Sequence, residues 1–181
     1  RLQERPRADA AIALAELRAQ GLTIGLCSGD APQPVQRFAE ALAIEQPLSR
    51  QTPEQKLAHA RALQQGGHVV AMVGDGLNDA PVLAGADVSL AMADGAALAQ
   101  RAADLVITGG SLQRIPQAID LARRTRSIIR QNLGWAIGYN LLALPLAALG
   151  MVTPWIAALG MALSSLLVTL NALRLARGVR R

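Results

Sequence analysis

Cysteine occurs once in this chain, at Cys27, so neither an internal disulfide nor a multi-cysteine zinc site can form. Aromatic residues are nearly absent, with two tryptophans, one tyrosine and one phenylalanine in 181 residues. Lysine also occurs once, at Lys56. The formal charge of +5 does not describe a nucleic-acid groove. Through residue 131 there are 14 basic residues against 13 acidic ones, and beyond it four arginines with no acid. Binding a single strand calls for basic residues interleaved with aromatics, and that pattern is missing. Nucleic acid is therefore not an expected partner. The longest absence is of charge itself: Asn132–Gly150 and Pro154–Leu173 are uncharged over 19 and 20 residues. Each is about the length that crosses the core of a bilayer. The chain opens at Arg1 with no initiator Met and no leader-like apolar stretch, which leads us to expect a later part of a longer protein.

What is present is organised around Val69–Val73, five apolar residues that stop at Gly74-Asp75-Gly76-Leu77-Asn78-Asp79-Ala80-Pro81. A short apolar run ending in such a turn predicts a buried parallel strand. Open α/β sheets place their ligands in loops at that end. Asp75 and Asp79 are hard oxygen donors of the kind Mg²⁺ takes beside phosphate. Gly74 and Gly76 are expected to supply backbone angles that a side chain would forbid. A second strand, Leu22–Leu26, is expected to end at Cys27-Ser28-Gly29-Asp30, which brings a hydroxyl, a glycine and a carboxylate. Cys27 on its approach reads as core rather than reactive.

Helices are expected over residues 8–20, Pro34–Leu42 and Thr52–Gln65, with Ile44–Leu48 as a short edge strand. In Thr52-Pro53-Glu54-Gln55, Thr52 can cap, Pro53 suits the first helical position and Gln55 can close a capping box. Lys56 follows in the first turn, where a cation opposes the helix dipole. That misfit suggests a task for Lys56 other than helix stability, although a solvated lysine has the same spacing. A short helix at Val82–Ala86, a strand at Val88–Met92, a helix at Ala96–Ala103 and a strand at Leu105–Thr108 complete an alternating pattern. It predicts a parallel sheet with crossover helices.

Leu112–Gln131 is expected to be an arginine-rich helix leading into two membrane helices. Arginines flank the uncharged pair on both outer sides and are missing from Met151–Thr153 between them. The positive-inside rule then puts both chain ends in the cytoplasm and that turn outside. Trp135 and Trp155 fall near opposite interfaces. Tyr139 and Asn140 stand mid-helix before Pro145, while Met161, Ser164 and Ser165 share a face at i, i+3 and i+4. Polar groups at that depth line a pathway or glue helices together, and spacing leaves both open. Neither stretch holds an Asp, Glu, Lys or His. A thioether among neutral oxygens suits a soft monovalent ion such as Cu(I) better than a hard divalent one.

Ser28-Gly29-Asp30, Pro53-xx-Lys56 and Gly74–Pro81 occur in the order of haloacid-dehalogenase-like phosphotransferases. Together with Gln131-Asn132-Leu133-xx-Ala136, Tyr139-Asn140, Met161-xx-Ser164-Ser165 and Asn171–Leu175, the string resembles the carboxyl-terminal part of heavy-metal P-type ATPases. Tyr139-Asn140 with Met161-xx-Ser164-Ser165 looks like the copper(I) branch, and the close of the chain is similar to the copper pumps that supply cytochrome oxidase assembly. The resemblance implies an α/β fold: a partial haloacid-dehalogenase-like, Rossmann-like parallel sheet followed by a two-helix transmembrane hairpin. It assigns residues 1–111 to the later part of a phosphorylation domain, 112–131 to a basic connecting helix, 132–173 to two membrane helices and 174–181 to a cytoplasmic tail.

By the same resemblance Ser28 would hydrogen-bond a phosphoryl group within the Ser28-Gly29-Asp30 turn, and Lys56 would neutralise it. Asp75 would ligate Mg²⁺, with Asn78 and Asp79 completing the site. Tyr139, Asn140, Met161, Ser164 and Ser165 would belong to the path of transported Cu(I). ATP, a multi-pass cell-membrane location and a copper chaperone as partner are implied as well. Two departures stand out. Asp-Lys-Thr-Gly-Thr and Cys-Pro-Cys are absent, and Met92-Ala93-Asp94-Gly95-Ala96 replaces the family's Gly-x-Gly-Thr-Asp-like turn. The alternatives are a membrane-anchored phosphatase of the same fold, which would need a nucleophilic Asp, and a non-catalytic membrane module. Without that aspartate the chain alone is expected to be inactive.

Overall fold

The computed structural model describes residues 6–74, 79–94 and 97–178. It divides into two units between Pro116 and Gln117. The first is α/β. Helices α1 (Ala10–Ala19), α2 (Pro32–Ala41) and α3 (Pro53–Gln65) precede strand β1 (Ala71–Gly74), helix α4 (Ala80–Gly85), strand β2 (Val88–Met92), helix α5 (Ala97–Ala102) and strand β3 (Leu105–Ile107). The three strands run parallel in the order β1-β2-β3, with Val73 opposite Leu90 and Leu90 opposite Leu105. Parallel neighbours need crossovers, and α4 and α5 provide them.

The core sits on the middle strand. From Ser89 to Met92 every residue of β2 is buried, because β2 has a strand on each side and α4 packed against it. Leu83 of α4 and Ala91 of β2 form its centre, with Met72, Ala102 and Ala103 around them. Ser89, only 2% exposed, is the polar exception. Its hydroxyl donates to Asp104 Oδ2 at 2.8 Å and accepts the Asp104 N–H at 3.0 Å, while its own N–H reaches the same carboxylate oxygen at 2.9 Å. That exchange fastens β2 to the start of β3. The Ser89 hydroxyl, and then its N–H, hold the Asp104 carboxyl below the usual carboxylate range.

Three strand expectations need correction. Neither residues 22–26 nor residues 44–48 form a strand. Among the described residues that region has one isolated parallel bridge, Cys27 with Leu48. A longer ladder fails because the partner segment bends: Ala43 and Gln46 take left-handed angles (φ +50° and +51°), and Pro47 has no N–H to donate. The strand expected from Val69 starts at Ala71, leaving Val69 82% exposed. β1 lies at the edge of the described sheet, so it is less covered than a strand with two neighbours.

In the second unit, helix α6 (Arg114–Ala148) enters from the first and runs 35 residues through Pro145. The helix expected over Leu112–Gln131 runs on without interruption into the uncharged stretch from Asn132. Helix α7 (Pro154–Gly178) follows a short turn in which Gly150 takes φ +72°. Among the described residues one helix is long and apolar enough to cross a membrane, Pro154–Ala176, with a mean hydropathy of 1.9. The uncharged half of α6 carries Asn132, Tyr139 and Asn140, which dilute its apolar character.

Candidate functional site: a lysine–aspartate pair beside a serine turn

The turn expected to handle phosphate is built by hydrogen bonds to the segment before α3. Ser28 N–H donates to Leu48 O at 2.8 Å, Gln51 N–H to Ser28 O at 2.9 Å and Arg50 N–H to Asp30 O at 2.9 Å. Arg50 takes a left-handed φ of +52°, a conformation costly for a residue with a Cβ and found where surrounding structure enforces it. Within the turn the Ser28 hydroxyl donates to Asp30 Oδ2 at 2.6 Å and accepts the Asp30 N–H at 3.2 Å. Gly29 passes close to the Gln51 carbonyl, 3.5 Å from where a Cβ would sit.

Helix α3 opens beside this segment with the expected capping box. Thr52 Oγ1 accepts the Gln55 N–H at 3.3 Å, and Gln55 Oε1 accepts the Thr52 N–H at 2.9 Å. Glu54 in the first turn is held below the usual carboxylate range by backbone N–H donation and then by the Thr52 hydroxyl. The next residue is Lys56. Its Nζ donates to Asp79 Oδ1 at 2.8 Å, and the two side chains are only 14% and 15% exposed. The ammonium that opposes the dipole of α3 is thus held by a carboxylate at the start of α4. Its charge also reaches the serine turn: burial pushes the Cys27 thiol up, and Lys56 opposes that rise. Cys27 is half-buried, and a raised thiol is poorly nucleophilic, in keeping with a packing role.

Gly74 has a different reason from the one expected. It sits in β1 with no left-handed angle, but a Cβ there would meet Asp79 Cβ at 3.0 Å and Oδ2 at 3.2 Å. Glycine is required by this close approach, which the sequence does not reveal because Asp79 lies five residues on. Asp75, Gly76 and Asn78 lie outside the described residues, as do Gly95 and Ala96 of the variant turn. Among the described residues no three of His, Cys, Asp and Glu gather to hold a metal ion. Asp79 still fits a hard cation in part, since Lys56 takes Oδ1 and Oδ2 remains on the side of Gly74.

The candidates expected within the membrane lie in the second unit. Trp135 Nε1 donates to Ser164 Oγ at 3.0 Å, and Asn171 Nδ2 donates to Asn132 Oδ1 at 2.9 Å. Tyr139 lies over Gly160, its hydroxyl 2.7 Å from where a Cβ would stand. These three contacts tie α6 to α7 in antiparallel register. Ser164 and Tyr139 therefore join the helices, which was one of the two uses open to them. Asn140 donates to the Ala136 carbonyl of its own helix at 2.9 Å. Met161, 65% exposed, and Ser165 lie to the side of this seam. Sequence reasoning missed Trp135 and Asn171 as contact residues, whereas the small-residue spacing Gly160-xxx-Ser164 is a helix-packing pattern. The seam shows in the structure, where the half-covered positions 132, 136, 139, 143 and 146 of α6 recur at intervals of three and four.

The family model of the haloacid-dehalogenase-like hydrolases matches residues 1–87. A copper-exporting P-type ATPase of Staphylococcus epidermidis is 46% identical over 167 residues, covering 92% of this chain and 21% of that protein. The crystal structure of a zinc-transporting PIB-type ATPase in its E2.Pi state superposes with a TM-score of 0.89 at 40% identity, covering 96% of this chain and 28% of that one. The catalytic domain of the CPx-ATPase CopB-B gives 0.60 at 35% identity over 63% of this chain and 45% of that one. The chain is a homologue of heavy-metal P-type ATPases, translocases with a haloacid-dehalogenase-like domain. It spans about a fifth of the length of the curated relatives it matches.

Proposed function

We propose that this chain supplies the later part of the phosphorylation domain and the last two membrane helices of a Cu(I)-exporting P-type ATPase. The observation that carries the catalytic half is the sheltered Lys56–Asp79 pair beside the Ser28 turn. Phosphoryl transfer asks a protein mainly for positioning and for charge opposite the equatorial oxygens. Lys56 brings a cation already held in place, and Ser28 brings a hydroxyl that can turn from Asp30 to a phosphoryl oxygen. Asp75 and Asp79 would hold Mg²⁺ with Asn78 beside them. When bound, Mg²⁺ neutralises phosphate charge. The phosphoryl acceptor in this reading is an aspartate outside these 181 residues, since no Asp-Lys-Thr occurs within them, and the chain alone forms no phosphoenzyme.

The cargo follows from chemistry. The named relatives include both copper and zinc transporters. A divalent ion would want carboxylates, yet 132–173 contains none. Met161 with Ser165 and Asn140 offers a thioether and neutral oxygens, a set suited to Cu(I). Both helices cross the cell membrane in this reading, with the chain ends in the cytoplasm.

In the full-length pump, Lys56→Gln keeps the capping box and the packing of α3, and turnover of ATP should fall about 10²–10³-fold. Turnover at the parent rate would remove Lys56 from the chemistry. Met161→Leu conserves volume, so the pump should insert normally and lose copper-stimulated phosphorylation by ATP. Unchanged stimulation would remove Met161 from the copper path.

A further inference from the structure

Resting on the membrane reading of α6 and α7, we infer that one face of α6 is a binding surface for anionic phospholipid headgroups. Arg123, Arg126, Ser127, Arg130 and Gln131 border a shallow depression of about 390 Å³ on this helix. At 100° per residue they fall on one side of it and climb about 10 Å from Arg130 to Arg123. Ile128, buried, points the opposite way, about 200° from both Arg126 and Arg130. Arg124 is paired with Asp120 at 2.8 Å, whereas Arg126 and Arg130 have no acidic partner among the described residues. No acid follows Asp120 anywhere in the chain.

The level of this stripe is fixed by the helix contacts. Asn132 is bonded to Asn171, so in antiparallel register Arg130 stands level with residues 173–174, at the end of the apolar stretch Pro154–Ala176. Arg174 joins it there, bonded to Asn171 Oδ1 at 3.0 Å. The stripe thus begins where the hydrocarbon ends and continues through headgroup depth. Guanidinium groups bind phosphate oxygens in pairs, and their stems cover apolar surface. Basic clusters in this position recognise anionic lipid. Zwitterionic phosphatidylcholine offers a phosphate at the same depth without the net charge.

Trp135, one turn into the apolar half, can report which lipid stands beside the stripe. The test uses the full chain with Trp155→Phe, reconstituted into vesicles of phosphatidylcholine and phosphatidylglycerol in which one lipid at a time carries brominated acyl chains. At equal mole fraction, brominated phosphatidylglycerol should quench Trp135 more strongly, and each arginine at an anionic surface contributes about fivefold to the preference. Arg126→Gln with Arg130→Gln should lower the preference about 25-fold, and Arg126→Lys with Arg130→Lys should keep most of it. Equal quenching by the two lipids in the parent chain overturns the headgroup site while leaving the membrane reading in place. A preference undiminished by both glutamines also overturns it. Absence of quenching by either lipid overturns the membrane reading on which the site rests.

Discussion

Ser89 is a buried hydroxyl with every bond filled by one partner, and that makes it a clean place to read a single residue's worth. Ser89→Ala removes the bond to Asp104 Oδ2 and leaves the Asp104 N–H without its acceptor. The loss should be about 1–2 kcal/mol in urea unfolding at neutral pH. The pH dependence follows from the lowered Asp104 carboxyl. In the fold this group stays charged where the unfolded chain has already taken up a proton. Its contribution is therefore complete above the ordinary aspartate value of about 3.9 and is lost as pH falls through the depressed one. Ser89→Ala should lose less stability than the parent below about pH 4. An equally steep acid loss in the variant would mean that other carboxylates set it, such as Asp9, held low by Ser111, or Asp87, held low by the Val70 N–H. None of this clamp was legible in the sequence, because Ser89 and Asp104 are 15 residues apart and neither belongs to a motif. Lys56 was half-legible: its conflict with the helix dipole marked it, but the carboxylate that resolves the conflict is 23 residues away.

At the level of elements, the strands and helices after Thr52 follow their patterns within a few residues, since capping chemistry and short apolar runs are local signals. The failures come where a partner decides. Residues 22–26 have strand composition, but their only described neighbour bends away at Gln46-Pro47, so composition alone misleads. The α6–α7 seam gives a sharper test of packing. A Cβ at Gly160 would stand 2.7 Å from the Tyr139 hydroxyl, closer than any contact can hold. Gly160→Ala should therefore lower the unfolding temperature of the chain in detergent, and adding Tyr139→Phe should restore part of the loss. The two changes are in contact, so they should couple by about 0.5–3 kcal/mol. Additive effects would show that Tyr139 swings clear of Gly160 when asked.

For the whole molecule, the proposed two-span topology is the decisive question. A cysteine replacing Val152, in the turn between α6 and α7, should react with an impermeant thiol reagent from outside intact cells in a Cys27→Ser background. One replacing Arg174 should not. Labelling of position 152 from the cytoplasmic side alone would overturn the two-span topology. The apolar length of α7 was plain from the sequence, and so was the missing charge on α6. What could not be read was that α6 carries straight on from an arginine-rich half to an uncharged one without a break.

The single bridge between Cys27 and Leu48 has a consequence in time rather than in space. Amides of Leu90 and Ala91 lie in a ladder bonded on both sides, so their hydrogens should exchange with solvent only in large openings. The Ser28 amide is protected by one bond, to Leu48 O, in an arm with one bridge among the described residues. It should exchange orders of magnitude sooner, through openings that leave the sheet intact. The hydroxyl assigned to phosphate would then ride on a segment that loosens and re-forms many times for each unfolding of the sheet behind it.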